Sequence, residues 1–130
     1  MRNAEATSKR DLAASRLHLI LIWGVPFALL IGLNFTEEFL QPHERVGIAA
    51  VLFLWMGAAC SINAVRCRRL HCIIAGPAFL IGAVLLTMVA FGLADFGSDG
   101  PNVIIWGTFG VVAGSFIAER IAGKYWRRPA

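Results

Sequence analysis

Four apolar runs, each long enough to cross a lipid bilayer, restrict the fold of this sequence more than any other feature. They cover residues 17–35, 46–65, 70–93 and 103–121 and are 19 to 24 residues long. A helix needs about 20 residues to cross ~30 Å of hydrocarbon. The apolar residues are continuous rather than alternating, which excludes the strands of a membrane barrel. Because the bilayer offers no water to the backbone, the sequence predicts an all-α integral membrane protein with four transmembrane helices.

The composition agrees with a single membrane domain spanning residues 1–130. The chain is 58% hydrophobic and 15% charged, whereas soluble domains contain about 25% charged residues. A domain of this size buries only part of its surface on folding. The lipid bilayer is therefore the predicted partner of the remaining apolar surface.

The basic residues predict the orientation of the helices. Eleven of the twelve Lys and Arg residues lie in the N-terminal segment, the second connector or the C-terminal segment. The first and third connectors contain only Arg45, together with five acids: Glu37, Glu38, Glu44, Asp95 and Asp99. The positive-inside rule places both termini in the cytoplasm, with the protein in the cytoplasmic (inner) membrane. Topology thus explains the net charge of +4, and no nucleic-acid partner is predicted.

Small residues indicate close helix packing. Gly110 and Gly114 form a G-x-x-x-G step, which Gly107 and Ala118 extend. Such residues let two helix backbones approach in lipid. One interpretation is an interface for a homo-oligomer or a larger membrane complex. The other, which we favour, is packing within the four-helix bundle.

The segment between the second and third runs contains the candidate site. Cys67, His71 and Cys72 supply thiol and imidazole groups, which suit soft and borderline metals such as Hg, Cu or Zn. Three arginines surround Cys67, and neighbouring cations favour the reactive thiolate. Cys60 and His18 are lesser candidate ligands. The segment therefore predicts thiophilic metal binding or transport at the cytoplasmic face.

Two geometries fit this segment. The second helix could continue, which would place Cys60, Asn63, Cys67 and His71 on one face at 100° per residue. Alternatively, residues 66–76 form a surface loop, and the third helix begins near Pro77. We favour the loop, because Gly-Pro is a poor helix interior. Asn63 would be costly in contact with lipid, so we expect it to hydrogen-bond across helices.

Three other interpretations of the sequence stay open. The cysteines could be small packing residues. Cys67 and Cys72 could form a transient disulfide in a thiol redox protein. The chain could also be an accessory subunit of a larger membrane complex. The sequence has no phosphate loop, no Ser-His-Asp set and no H-E-x-x-H motif, which argues against a conventional ATPase or hydrolase.

A short string resembles one found in small uncharacterised prokaryotic membrane proteins. It is N-A-x-R-C-x-x-x-H-C followed by G-P-x-F-L, and it covers residues 63–80. The overall plan also resembles the small bacterial mercury-uptake membrane proteins, which are helical, carry cysteines and lack an ATPase. This resemblance implies handling of a thiophilic metal.

The charge asymmetry predicts where a reporter is active. A reporter that works only in the cytoplasm should be active when fused at Ala130 or in the 66–70 connector. The same reporter should be silent at Asp99, because this connector lies on the side without basic residues. Reporter activity at Asp99 would contradict the four-span topology.

Overall fold

The computed structural model describes residues 15–123, apart from the side chain of Cys67. These residues form four helices and no β-strand. The helices are α1 (Arg16–Leu33), α2 (Pro42–Cys67), α3 (Leu70–Ala90) and α4 (Gly100–Ala122). All four are long and apolar enough to cross a membrane, so the fold is that of a multi-pass membrane protein. The basic terminal segments 1–14 and 124–130 lie outside the described residues, and the orientation of the termini stays a prediction.

The two ends of the bundle differ in charge. The turn between α2 and α3 carries Arg66, Arg68 and Arg69, and we call this side the basic end. The connectors between α1 and α2 and between α3 and α4 lie at the other side. These connectors and the first turn of α2 carry the five acids named above, and we call this side the acidic end.

Helix α2 is longer than predicted at its acidic end. It begins at Pro42, a residue suited to the first helical position because its φ is fixed and it needs no N–H partner. A capping box precedes it, in which the Gln41 backbone N–H donates to Glu44 Oε2 at 2.9 Å. The helix therefore starts four residues before the apolar run at Val46.

The loop predicted for residues 66–76 is wrong, and so is the continuous second helix. Helix α2 ends at Cys67, because Arg68 adopts the left-handed conformation with φ 53°. Its N–H still bonds to the Ala64 carbonyl at 2.8 Å. Helix α3 then begins at Leu70, so the connection is a two-residue turn.

Pro77 lies inside α3 rather than at its start. A proline removes one backbone hydrogen bond, whereas a loop over residues 70–76 would leave many backbone groups to be satisfied near lipid. Gly76 also brings α3 close to α2, since a Cβ at this position would lie 2.7 Å from Ser61 Oγ and 3.1 Å from Ser61 N. Packing and backbone satisfaction together outweigh the helix-breaking tendency of Gly-Pro.

The core is centred on α2 and α3. Gly57 packs on Leu80 and Gly82 packs on Phe53, so small residues act within the bundle here as predicted. One phenylalanine from each helix takes part in edge-to-face contacts with ring centroids 5.3 to 5.8 Å apart, and the ring from α4 contacts the other three. The four are Phe27, Phe53, Phe79 and Phe109, and we call them the phenylalanine layer.

The small residues of α4 do not pack within the bundle, so the packing favoured for them is wrong. Nothing described lies within 4 Å of a Cβ built on Gly107, Gly110 or Gly114. Only 11% of the most apolar stretch of α4 is buried. Helix α4 contacts α3 through its other face, which includes Phe109 and Ser115.

The contact at Gly76 predicts a position-specific loss of stability. Gly76→Val should destabilise the protein by about 1–3 kcal/mol, because the new side chain would overlap Ser61. Unfolding in a detergent titration, followed by circular dichroism, measures the change.

Gly114→Val is the matched control, since it adds the same side chain to an open helix face. It should change the free energy of unfolding much less than Gly76→Val. Equal losses for the two variants would show that the α2–α3 contact has no special role.

Candidate functional site at the basic end

Two cysteine thiols from different helices meet inside the bundle near the basic end. Cys60 on α2 is 1% exposed and Cys72 on α3 is fully buried. Both are free thiols, and they lie in hydrogen-bonding contact with each other. The close approach of α2 and α3 at Ser61 and Gly76 places them together, because each cysteine is within four residues of this contact.

Each of the two sulfurs accepts an N–H group. Trp23 Nε1 on α1 donates to Cys60 Sγ at 3.1 Å. Asn63 Nδ2 on α2 donates to Cys72 Sγ at 3.5 Å, which confirms the hydrogen bond predicted across helices. N–H donors directed at sulfur stabilise negative charge on it. The pair is therefore suited to hold one thiolate, and both sulfurs can carry negative charge together only when a cation lies between them.

An imidazole and a carboxylate extend the site to α4. His71 Nε2 lies 3.2 Å from Cys72 Sγ, and His71 Nδ1 contacts Glu119 Oε2. Arg69 Nε donates to Glu119 Oε1 at 3.3 Å. The Phe116 ring stacks on the imidazole with centroids 4.5 Å apart. Glu119 thus holds the imidazole so that Nε2 faces the thiols, an arrangement common for metal-binding histidines.

We call these residues the thiol cluster, and all four helices contribute to it. Its members are Trp23, Cys60, Asn63, Arg69, His71, Cys72 and Glu119. The glutamate side chain is 11% exposed and the imidazole 6%. Such a polar network in an apolar surrounding is stable only when its members are paired.

The structure brings three of the five proposed ligands together. Cys60, His71 and Cys72 belong to the thiol cluster, and Cys60 lies at its centre rather than at its margin. His18 is exposed in the first turns of α1 and has no hydrogen bond or ion pair within residues 15–123. The backbone of Cys67 ends α2, and its side chain lies outside the described part.

Glu119 is the residue that sequence reasoning missed. It falls at the end of the fourth apolar run, beside Arg120 and the basic tail. A signal was present in the sequence, since Glu119 is the one acid between Val103 and Ala130. An isolated acid near the end of a membrane span usually has a partner inside the protein.

The cluster does not form a metal site with three or more ligands. No group of three His, Cys, Asp or Glu side chains within the described part of the chain has the geometry to hold an ion. Structural zinc usually has four ligands, so zinc fits this arrangement poorly. Two thiolates alone are enough for the softest d¹⁰ ions, which accept two sulfur ligands in a line.

Comparisons with protein-family models, with curated proteins and with solved structures found no match to this chain.

The buried carboxylate predicts a large effect on stability. Glu119→Ala should lower the free energy of unfolding by about 3 kcal/mol, because Arg69 and His71 would lose a shared buried partner. Detergent unfolding of the purified variant measures this loss.

Glu37→Ala is the control. This variant removes the ion pair between Arg45 and Glu37, in which the Glu37 side chain is 71% exposed. Exposed ion pairs contribute under about 1 kcal/mol, so this variant should be nearly as stable as wild type. A small loss in both variants would mean that the Glu119 contacts contribute little.

Proposed function

We propose that the protein binds a thiophilic metal ion, Hg(II) or Cu(I), between Cys60 and Cys72 near the cytoplasmic face of the inner membrane. The observation that carries the proposal is the meeting of two buried thiols from α2 and α3, each accepting an N–H group. Soft thiolate ligands favour these ions. His71 Nε2 contacts Cys72 Sγ at 3.2 Å but does not complete a three-ligand site with the two thiols.

Charge balance favours a soft ion with two thiolates. A buried charge is costly unless it is compensated. Two thiolates neutralise Hg(II) completely and leave a single negative charge on Cu(I). Zn(II) would also be neutralised, but its tetrahedral shell requires further ligands that the described residues do not supply.

The burial of the thiols favours a small ion over a thiol redox partner. Disulfide exchange requires an attacking thiolate to reach one of the sulfurs. Cys60 and Cys72 are enclosed by the helices, so a protein thiol would have to displace a helix. A metal ion delivered from the basic end needs far less space.

Variants of the thiol pair test the proposal. Purified protein with reduced thiols should bind about one Hg(II) or Cu(I) per chain, and Zn(II) much more weakly. Cys60→Ser and Cys72→Ser should each abolish tight binding, because each removes one of two ligands. Equilibrium competition with a thiol chelator, followed by the ultraviolet sulfur-to-metal absorption band, measures the affinity.

Cys67→Ser is the matched control, since it removes the third thiol and leaves the buried pair intact. It should bind the ion as wild type does. Equal binding by wild type and the Cys60→Ser, Cys72→Ser double variant would exclude this site. Loss of binding only in Cys67→Ser would move the site to the end of α2.

A second candidate function is an accessory subunit of a larger membrane complex. It is favoured by the open face of α4, where Gly107, Gly110 and Gly114 have no described neighbour within 4 Å of a Cβ position. Small residues on an open face permit close approach of another helix. If the wild-type protein binds no soft metal, this function becomes the leading one.

A further inference from the structure

A cavity at the acidic end has a composition unlike the rest of the bundle. Its volume is about 260 Å³, and α1, α2 and α4 all contribute to its walls. Leu30, Ile105 and Trp106 line it with apolar surface, whereas Arg45, Ser98 and Asn102 supply polar groups. The volume lies just below the range of ~300–1,000 Å³ found for drug-sized ligands. It therefore fits a small polar head attached to an apolar body.

Arg45 is an unusual residue at this position. It is the only Lys or Arg between residues 17 and 65, and residues 70–119 contain none. A basic residue on this side opposes the orientation set by the other eleven. Its presence at the cavity therefore calls for a physical reason other than topology.

The guanidinium of Arg45 is only partly satisfied by the protein. One terminal nitrogen, Nη2, donates to Glu37 Oε1 at 3.3 Å. Its Nε is buried and has no hydrogen-bond partner within residues 15–123. A buried donor without a partner is costly, so Arg45 would gain from a further hydrogen-bond acceptor that reaches its guanidinium. Arginine donors in a fork match the oxygens of phosphate.

Two helix N-termini also reach the cavity. Pro42 and Arg45 belong to the first turn of α2, and Pro101 and Asn102 to the first turn of α4. The N-terminal end of a helix carries partial positive charge. The α2 terminus is capped by Gln41 and Glu44, whereas Asp99 makes no side-chain cap on α4. In the first turn of α4, Pro101 has no N–H and the Gly100 N–H bonds to the Gly97 carbonyl, so the Asn102 N–H is the group left for an anion.

The surrounding acids do not prevent anion binding. Glu37, Glu38, Glu44, Asp95 and Asp99 are all exposed. Exposed charges are screened by water and salt, with a Debye length of about 8 Å at physiological ionic strength. Arg45 lines the cavity and its side chain is 27% exposed, against 71% for Glu37, so its charge is screened less than that of the acid it pairs with.

We propose that this cavity binds a phosphate group, held by Arg45 between the N-termini of α2 and α4. The phosphate can come from the headgroup of a phospholipid or from a free phosphate ion. The apolar wall formed by Leu30, Ile105 and Trp106 favours the lipid, because its acyl chains would continue along the helices.

Native mass spectrometry of the purified protein in detergent tests the proposal. Phosphatidylglycerol is the probe, and diacylglycerol with the same acyl chains is the control that lacks only the phosphate and its headgroup. Wild type should retain one phosphatidylglycerol and no diacylglycerol. Arg45→Gln should reduce retention about tenfold or more, because it removes a charge-assisted hydrogen bond. Arg45→Lys should lie between the two, since lysine keeps the charge without the fork.

Two further measurements complete the test. Arg120→Gln removes an exposed base at the basic end and should leave retention unchanged. Titration of inorganic phosphate, followed by calorimetry, identifies the source. Binding of inorganic phosphate that depends on Arg45, without lipid retention, assigns the site to the free ion. Equal retention by wild type and Arg45→Gln, or equal retention of diacylglycerol, would overturn the proposal, as would binding of neither probe.

Discussion

The close approach of α2 and α3 is the contact on which the rest of the structure depends. A Cβ atom added at Gly57, Gly76 or Gly82 would lie 2.7 to 3.0 Å from atoms of a neighbouring helix. On α2 and α3, those atoms belong to Leu80, Ser61 and Phe53, respectively. Lipid gives helices no hydrophobic reason to associate, so backbone proximity and van der Waals contact must do so. This approach brings Cys60 of α2 and Cys72 of α3 together as a pair. Without it Cys60 and Cys72 would be isolated packing residues.

Glu119 joins α4 to this thiol pair. Its two carboxylate oxygens contact Arg69 in the turn and His71 on α3. The low dielectric of the bundle strengthens these contacts and also makes each unpaired member costly. The cluster is thus maintained as a unit, and its geometry is set by the carboxylate as much as by the sulfurs. Helix α1 joins it through the indole N–H of Trp23.

Hydropathy predicted the four helices because their lengths follow from bilayer thickness, a constraint that acts on each run separately. The same reasoning failed at Gly76-Pro77. There it applied the helix-breaking rule of water-soluble proteins to a segment whose backbone must be satisfied internally. Gly76 serves close packing instead, which depends on Ser61 of another helix and cannot be inferred from local sequence.

The candidate site could be predicted only in part for a similar reason. Periodicity placed Cys60 and Asn63 on one buried face of α2, and the structure confirms this face. It could not place Cys72 opposite Cys60, because this requires the position of the turn at Arg68. Arg68 adopts the left-handed conformation although an arginine gives no sequence signal for it. Predicting the role of Glu119 would have required the same information about neighbouring helices.

The phenylalanine layer constrains what a metal site in this position can do. Phe53 and Phe79 are buried and pack against each other and against Phe109, which also contacts Phe27, so each helix contributes one ring to the layer. Met56, a buried residue one turn beyond Cys60, lies between the thiol pair and this layer along α2.

An ion that moved from the thiol pair toward the acidic end would meet the Met56 sulfur and then the close-packed rings. Close packing leaves no room for even a bare ion, since protein interiors contain few voids. Passage of an ion from the thiol pair across the membrane would require the rings to move apart. Transport would therefore require a second conformation in which α1 or α4, the two least buried helices, shifts and opens the layer.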